Sequence, residues 1–248
     1  MEPTPETVRL DWPPDHAGGP AELAEAAFAR GAVRVEVLVS VTDERRRLLH
    51  GAAFRREGRL RSAYVARDGT AHDAYLYARL ADDPLDGEEI FSTVMNAVLP
   101  RTRVIGHAVF RDRDARVLLL QVSYKRDWEL PGGVVEPYES PREGCRREVI
   151  EEIGLDRDVE RLLCVDWLPP YLGWDDAVEL IFDGGVLSPD DVAAMVLGAG
   201  EIVAAHWVAA DDVGRYVSPL AARRLRWLLA NPEAPPALFE DGRPVGRR

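Results

Sequence analysis

Three glutamates, Glu148, Glu151 and Glu152, stand directly behind Arg147 in the stretch GVVEPYESPREGCRREVIEEIGL, residues 133 to 155. On a helix of 3.6 residues per turn they fall within roughly a hundred degrees of one another. Three like charges on one stripe repel, and such a helix is more stable without them unless a cation binds there. Hard carboxylate oxygens in this number suit magnesium, which keeps several waters and shares its shell with substrate phosphates; manganese accepts the same ligands. Arg147 would then pair with and orient one of the carboxylates. Taken alone, the glutamates read more readily as the charged stripe of a solvent-facing helix.

The elements that position these residues are written locally. Ser140-Pro141-Arg142-Glu143 combines a hydroxyl N-cap, proline at the first helical position and glutamate three residues past the cap, a capping box. Gly154 supplies a left-handed stop, so the pattern predicts a helix from about 141 to 153. Cys145, Val149, Ile150 and Ile153 lie on the neighbouring arc and are expected to face a core. Upstream, Leu130-Pro131-Gly132-Gly133 is a turn whose backbone can swing close to a bound ion and present a carbonyl.

With Gly133, Glu139, Arg147, Glu148, Val149, Glu151, Glu152, Gly154 and Leu155 at fixed positions, the segment reads G-x5-E-x7-R-E-U-x-E-E-x-G-U, where U is aliphatic. This resembles the Nudix hydrolase signature without a departure. The resemblance covers roughly residues 103 to 230 and implies a mixed-sheet α/β/α sandwich. It further implies magnesium-dependent hydrolysis of the pyrophosphate in a nucleoside diphosphate linked to another moiety, with water attacking one phosphorus in line. By motif position Glu148 and Glu152 become the leading metal ligands. Glu151 is a further ligand or a partner of Arg147, and any of the three can serve as base. The family ligates metal through the carbonyl before the first signature glycine, here Gly132. It often recruits one more carboxylate from a loop before a tryptophan-bearing strand, where Glu201 precedes Trp207. Glu139 lies before the helix cap and takes a structural or outer role, as do Gly133 and Gly154.

Substrate contacts are less sharply written. Lys125 and Arg126 precede the Trp-Glu-Leu-Pro-Gly-Gly turn, where a cation can meet phosphates; solvated charge at a strand end is the competing view. Trp128 can stack on a base or wedge in the core. Pro169-Pro170-Tyr171 carries residues at the marker positions of two branches, ADP-ribose hydrolases and dinucleoside polyphosphate hydrolases, and is also simply a turn. Nucleotide sugars and nucleoside triphosphates remain open as substrates. The alternative to an enzyme is a non-catalytic Nudix-fold module that binds a nucleotide for regulation, suggested by the extra N-terminal segment. An isomerase on the same fold would need a protonating cysteine or tyrosine beside the metal, and Cys145 faces the core by helical phase. The five histidines show no ligand spacing.

The whole chain sets outer bounds. Its 248 residues carry a formal charge of −12 with pI near 5.0, which argues against a protein that coats nucleic acid. Two cysteines in apolar company fit a reduced, cytoplasmic chain. No secretory start and no long uncharged apolar run is present, so no membrane partner is expected. Residues 1 to 20 are proline-rich and expected to form a loose arm. Residues 21 to 100 read as a small α+β domain, residues 101 to 231 as the Nudix domain, and residues 232 to 248 as a flexible tail. Within the α+β segment we expect helices at 21 to 30 and 87 to 98, the latter capped by Asp86. Strands are expected at 33 to 41, 47 to 56, 59 to 67 and 71 to 80, with turns at Glu57-Gly58 and Asp68-Gly69. In the second half strands are expected near 104 to 110, 116 to 124, 161 to 168, 177 to 183 and 204 to 209, and a last helix at 218 to 230. The α+β segment reads as a unit for homodimerisation, its alternating strands offering an edge, as a substrate lid, or as a plain structural extension.

Overall fold

The computed structural model describes residues 6–10, 12, 18–66, 68–85, 87–159 and 161–246. The expected N-cap Asp86 and the prolines 3, 5, 13 and 14 lie outside the described residues. The chain divides into two compact units, residues 1–100 and 101–248.

In the second unit a mixed sheet is built from β5 (Arg103–Arg111), β6 (Val117–Val122), β7 (Gly132–Val134), β8 (Leu162–Leu168), β9 (Ala177–Val186), β10 (Ile202–Val208), β11 (Ala237–Glu240) and β12 (Arg243–Pro244). The order is β10-β6-β5-β9-β8-β11-β12, with β5 and β9 parallel and β7 joined to β5. Alternation along β5 divides two cores. Ala108 and Phe110 pack with Cys145, Val149 and Ile153 of α4 (Pro141–Ile153), while Val109 packs with Ile181, Leu225 and Leu228 under α6 (Pro219–Ala230). This is the expected α/β/α sandwich, with helices on both faces of one sheet. Along Ile105 to His107, β5 pairs with β7, and it meets β6 only where Arg111 faces Val117. The sheet is thus split just where the Gly-Gly turn enters.

Two details of this unit depart from expectation. Ile150 is 41% exposed, so the buried arc of α4 is Gly144, Cys145, Val149 and Ile153. The segment after Asn231 is anchored: β11 runs parallel to β8, and Phe239 is fully buried with its ring edge-on to Trp227 at 5.2 Å. A short capped helix, α5 (Pro189–Ala194), follows β9 and had no sequence expectation.

The first unit has a sheet in the order β1-β2-β4-β3, from β1 (Glu6–Leu10), β2 (Ala32–Ser40), β3 (Arg55–Val65) and β4 (Ala71–Leu80), with α1 (Pro20–Phe28), α2 (Arg46–Gly51) and α3 (Gly87–Val98). Residues 6–10, expected inside a loose arm, pair in parallel with β2. Residues 46–51, expected to begin a strand, form α2, which buries Leu49 completely against Val37, Val39 and Phe54. Gly58, expected in a hairpin turn, lies inside β3 at a register shift, the usual place for a glycine bulge. Among the described residues no helix is long and apolar enough to cross a membrane.

Candidate active site

The helix that carries the glutamates is fixed at both ends by short-range bonds. Ser140 Oγ accepts from the Glu143 amide at 3.3 Å, and the Glu143 carboxylate accepts from the Ser140 amide at 2.9 Å. Gly154 at φ 72° closes the helix with its amide on the Ile150 carbonyl. The helix lies close against β7 because glycines line the approach. A Cβ on Gly133 would stand 2.8 Å from Cδ of Glu148, and Gly132 has φ 131°, where a Cβ would meet Gly106 O at 2.2 Å.

Arg147 holds the near end of the cluster together. Its Nε and Nη2 grip Glu139 at 3.2 and 2.9 Å, its Nη1 reaches Glu148 at 2.8 Å and Glu151 at 3.3 Å, and Nη2 also donates to the Val134 carbonyl. Glu139 additionally accepts from the Glu136 amide at 2.7 Å, so it ties the loop to the helix. The guanidinium holds the Glu139 carboxyl below the usual carboxylate range. Glu151 is exposed, whereas Glu148 and Glu152 are half-buried.

Glu152 is held differently. Its Oε2 accepts from the Gly132 amide at 2.8 Å. The pair His107–Gly132 falls between the ladder bonds Ala108 N–Pro131 O and Val135 N–Val104 O. In an antiparallel ladder such a residue turns its amide and carbonyl away from the partner strand, here toward α4. Burial pushes the Glu152 carboxyl up to about 7, with Glu148 and Glu129 adding to the rise against the Gly132 amide and His107.

Glu201 is brought to the same region by its loop. The amides of Val196 and Gly198 donate to the Ile153 and Glu152 carbonyls at the end of α4, and Ser123 bonds the backbone of Gly200 and Glu201. The Tyr124 phenol marks the meeting place: burial raises its pKa first, then the charges of Glu129, Glu152 and Glu201. Among the described residues no three His, Cys, Asp or Glu side chains converge as a ready metal cage. The carboxylates are instead occupied by Arg147 and by the Gly132 amide.

A family model of the NUDIX domain matches residues 100–229, just over half of the chain. The chain belongs to the Nudix hydrolase family. A MutT-like protein of Streptomyces ambofaciens is 32% identical over 117 residues, 45% of this chain and 67% of that one. A putative ADP-ribose pyrophosphatase of Bacillus subtilis (strain 168) is 41% identical over 66 residues, 27% of this chain and 30% of that one, so the shared stretch spans under a third of that relative. A solved MutT protein from Methanosarcina mazei Go1 aligns over 54% of this chain and 97% of its own at 26% identity, with a TM-score of 0.46.

In this Nudix hydrolase the expected substrate contacts fare unevenly. Trp128 is stacked between His206 and Tyr216, each ring centre 4.2 Å away and nearly parallel, so both faces of the indole are covered and a base has none to stack on. Lys125 is ion-paired with Glu129, which also accepts from Tyr124. Arg126 is exposed beside them. Tyr171 lies in the β8–β9 turn, bridged to Trp174, and among the described residues no contact joins it to the glutamates. Cys145 is fully buried and its thiol is pushed up to about 12 by burial, so it offers no proton beside the site.

Sequence reasoning missed Glu129 and His107. Glu129 carries no motif letter; its only signal is its place three residues before Gly132. His107 is buried, its Nδ1 2.7 Å from Glu179, which Arg224 grips with two nitrogens at 2.6 and 2.7 Å while also bonding Asp166 at 2.8 Å. Burial opposes a charge on His107, yet Glu179 outweighs it and raises the imidazole pKa.

The close approach at Gly133 yields a test. In Gly133→Ala the new methyl meets only the flexible end of Glu148, so the fold gives way by moving that carboxylate. We expect a melting temperature within about 3 °C of the parent and kcat/KM lower on the order of 10²-fold, as for a misplaced catalytic group. A large loss of stability would show that the contact is rigid.

Proposed function

We propose that the second unit hydrolyses the pyrophosphate bond of a nucleoside diphosphate-linked substrate with Mg2+, which Mn2+ can replace. The observation that supports this most is the placement of Glu152, half-buried on the same helix as Glu148, held on the Gly132 amide at 2.8 Å and with no ion pair among the described residues to balance its charge. A site built to keep that charge without a cation would be a plain loss of stability. The donor set fits a hard divalent ion that takes few protein ligands and keeps waters: Glu148 and Glu152, the Gly132 carbonyl turned to the same side, and Glu201 from the docked loop. Bound there, magnesium supplies charge neutralisation for the phosphate oxygens and a water made acidic enough to attack.

The chain's own residues do the rest. Arg147 orients Glu148 and Glu151 and locks the loop through Glu139. A carboxylate of the cluster accepts the proton of the attacking water as the new P–O bond forms and the bridging P–O bond breaks, releasing a nucleoside monophosphate and the phosphorylated remainder. Arg126 and Lys125 meet the distal phosphate, the latter after exchanging Glu129 for substrate.

The test is a panel of ADP-ribose, nucleotide sugars, dinucleoside polyphosphates and nucleoside triphosphates, with Mg2+ or Mn2+ and with chelator. ADP-ribose heads it because of the Bacillus relative's name. We expect nucleotide release from at least one member, abolished by chelator and restored by Mg2+. Tight binding without turnover across the panel would overturn the reading in favour of a regulatory module.

A further inference from the structure

The first unit holds a cationic cluster that the hydrolytic chemistry does not use. Register places Arg56 of β3 beside Tyr77 of β4, with Tyr75 two residues back on the same face. From α2, Arg46 and His50, one turn apart, face these tyrosines. His50 Nε2 lies 3.1 Å from the Tyr77 hydroxyl. The Arg46 guanidinium stands 5.4 Å and that of Arg56 4.9 Å from the centre of the Tyr75 ring, so two like charges share one phenol.

Arg34, Arg45, Arg55, Arg59 and Arg79 of the same unit each pair with a carboxylate. Arg46 and Arg56 are half-buried, and no ion pair joins either to a carboxylate among the described residues. The carboxylate of Asp43, close enough to feel the charge of Arg46, is gripped by Nε and Nη2 of Arg45, and Arg46 Nε donates instead to the Asp43 main-chain carbonyl at 2.7 Å. In a chain with 43 acidic and 31 basic residues, carboxylates are plentiful, so two guanidinium groups gathered around one tyrosine ring without an ion pair among the described residues are a specific arrangement. Burial and the two arginines together hold His50 below the usual imidazole range, which leaves a neutral ring to donate or accept.

We propose that Arg46, Arg56, His50 and the Tyr77 hydroxyl form a binding site for a phosphate dianion built from first-unit residues alone. Two fixed guanidinium groups match the charge of a dianion, and their planar forks match its oxygens. The Tyr75 ring holds the forks in place before the anion arrives, and His50 with Tyr77 offers the remaining polar contacts. The phosphate can be inorganic or the terminal group of a nucleoside monophosphate.

Calorimetric titration of the full chain in chelator, once with inorganic phosphate and once with AMP, separates the two sources. At least one should bind, with affinity falling as salt rises. Arg46→Gln and Arg56→Gln should each weaken binding about tenfold or more, and the double variant should remove it. Arg46→Lys with Arg56→Lys, which keeps charge and fold but not the fork, should also lose at least tenfold. Turnover of the best panel substrate should remain at the parent level in all of them. Binding of neither anion, or binding unchanged in both double variants, overturns the proposal, and neither outcome depends on which substrate the second unit cleaves.

Discussion

Replacing Glu152 by glutamine is expected to lower kcat by about 10³-fold and, in metal-free protein above neutral pH, to raise the melting temperature. The loss follows from removing a charge that the reaction needs. The gain follows from the same charge being costly to bury. The Glu152 carboxyl moves from an ordinary 4.5 to about 7 in the fold, chiefly through burial. A folded state that holds a proton more tightly than the unfolded chain loses stability as pH rises between those two values. Above pH 7 the penalty reaches up to about 3 kcal/mol, and glutamine escapes it while its amide oxygen can still accept from the Gly132 amide. Melting curves in chelator should therefore coincide near pH 5 and separate by several degrees at pH 8, with the variant higher. Saturating Mg2+ should close the gap by stabilising only the parent. An inactive variant that gains nothing at pH 8 would remove buried charge as the basis of the site.

How much of this was legible in the sequence depended on whether the signal was local. The bounds of α4 follow from Ser140, Pro141, Glu143 and Gly154 acting on their own neighbours, and these residues act the same way in the fold. Strands β5, β6, β8, β9 and β10 were legible as short apolar runs between turn signals, whereas β7, three residues of the Gly-Gly turn, was not. Residues 46–51 misled because a short run with two leucines carries no decisive period; burial of Leu49 decides for the helix. The tail misled in the opposite direction. Phe239 sits among prolines and charges, and only the groove beside β8 and Trp227 explains why that segment is held.

The carboxylates outside the motif show the same division. The resemblance singled out Glu201 by its position before a tryptophan-bearing strand, and its loop docks on the end of α4. Glu129 was not legible, because what places it near Glu152 is the return of the chain past Leu120, a pairing with no local mark. Trp128 was legible as an aromatic beside the turn but not as the middle of a stack, since His206 and Tyr216 come from elements far along the chain.

The least legible feature also carries the largest expected effect on stability. Asp166 and Glu179 face each other across β8 and β9, fully or almost fully buried, and Arg224 reaches down from α6 to both. With His107 protonated the four groups balance in charge, and Arg224 with His107 draws the Glu179 carboxyl down to about 2 despite burial. Arg224→Met leaves two carboxylates facing in the core without their shared cation, which is expected to cost about 3–5 kcal/mol at pH 7. The parent keeps the Glu179 contribution above pH 4.5 and loses it only as pH falls toward 2. In the variant burial and mutual repulsion raise both carboxyl groups, so protonation relieves them at milder acidity, and the gap in melting temperature should narrow from pH 7 to pH 5. Activity should fall too, below the melting point, because the His107 ring lies against Gly132: a Cβ there would come 2.9 Å from its Cδ2. Without Arg224 the Glu179 carboxylate is no longer fixed, so the ring bonded to it no longer fixes the peptide that holds Glu152. A variant that melts within about 1 kcal/mol of the parent, or whose deficit is the same at pH 5, would show that the sheet does not depend on the arginine to hold its two acids.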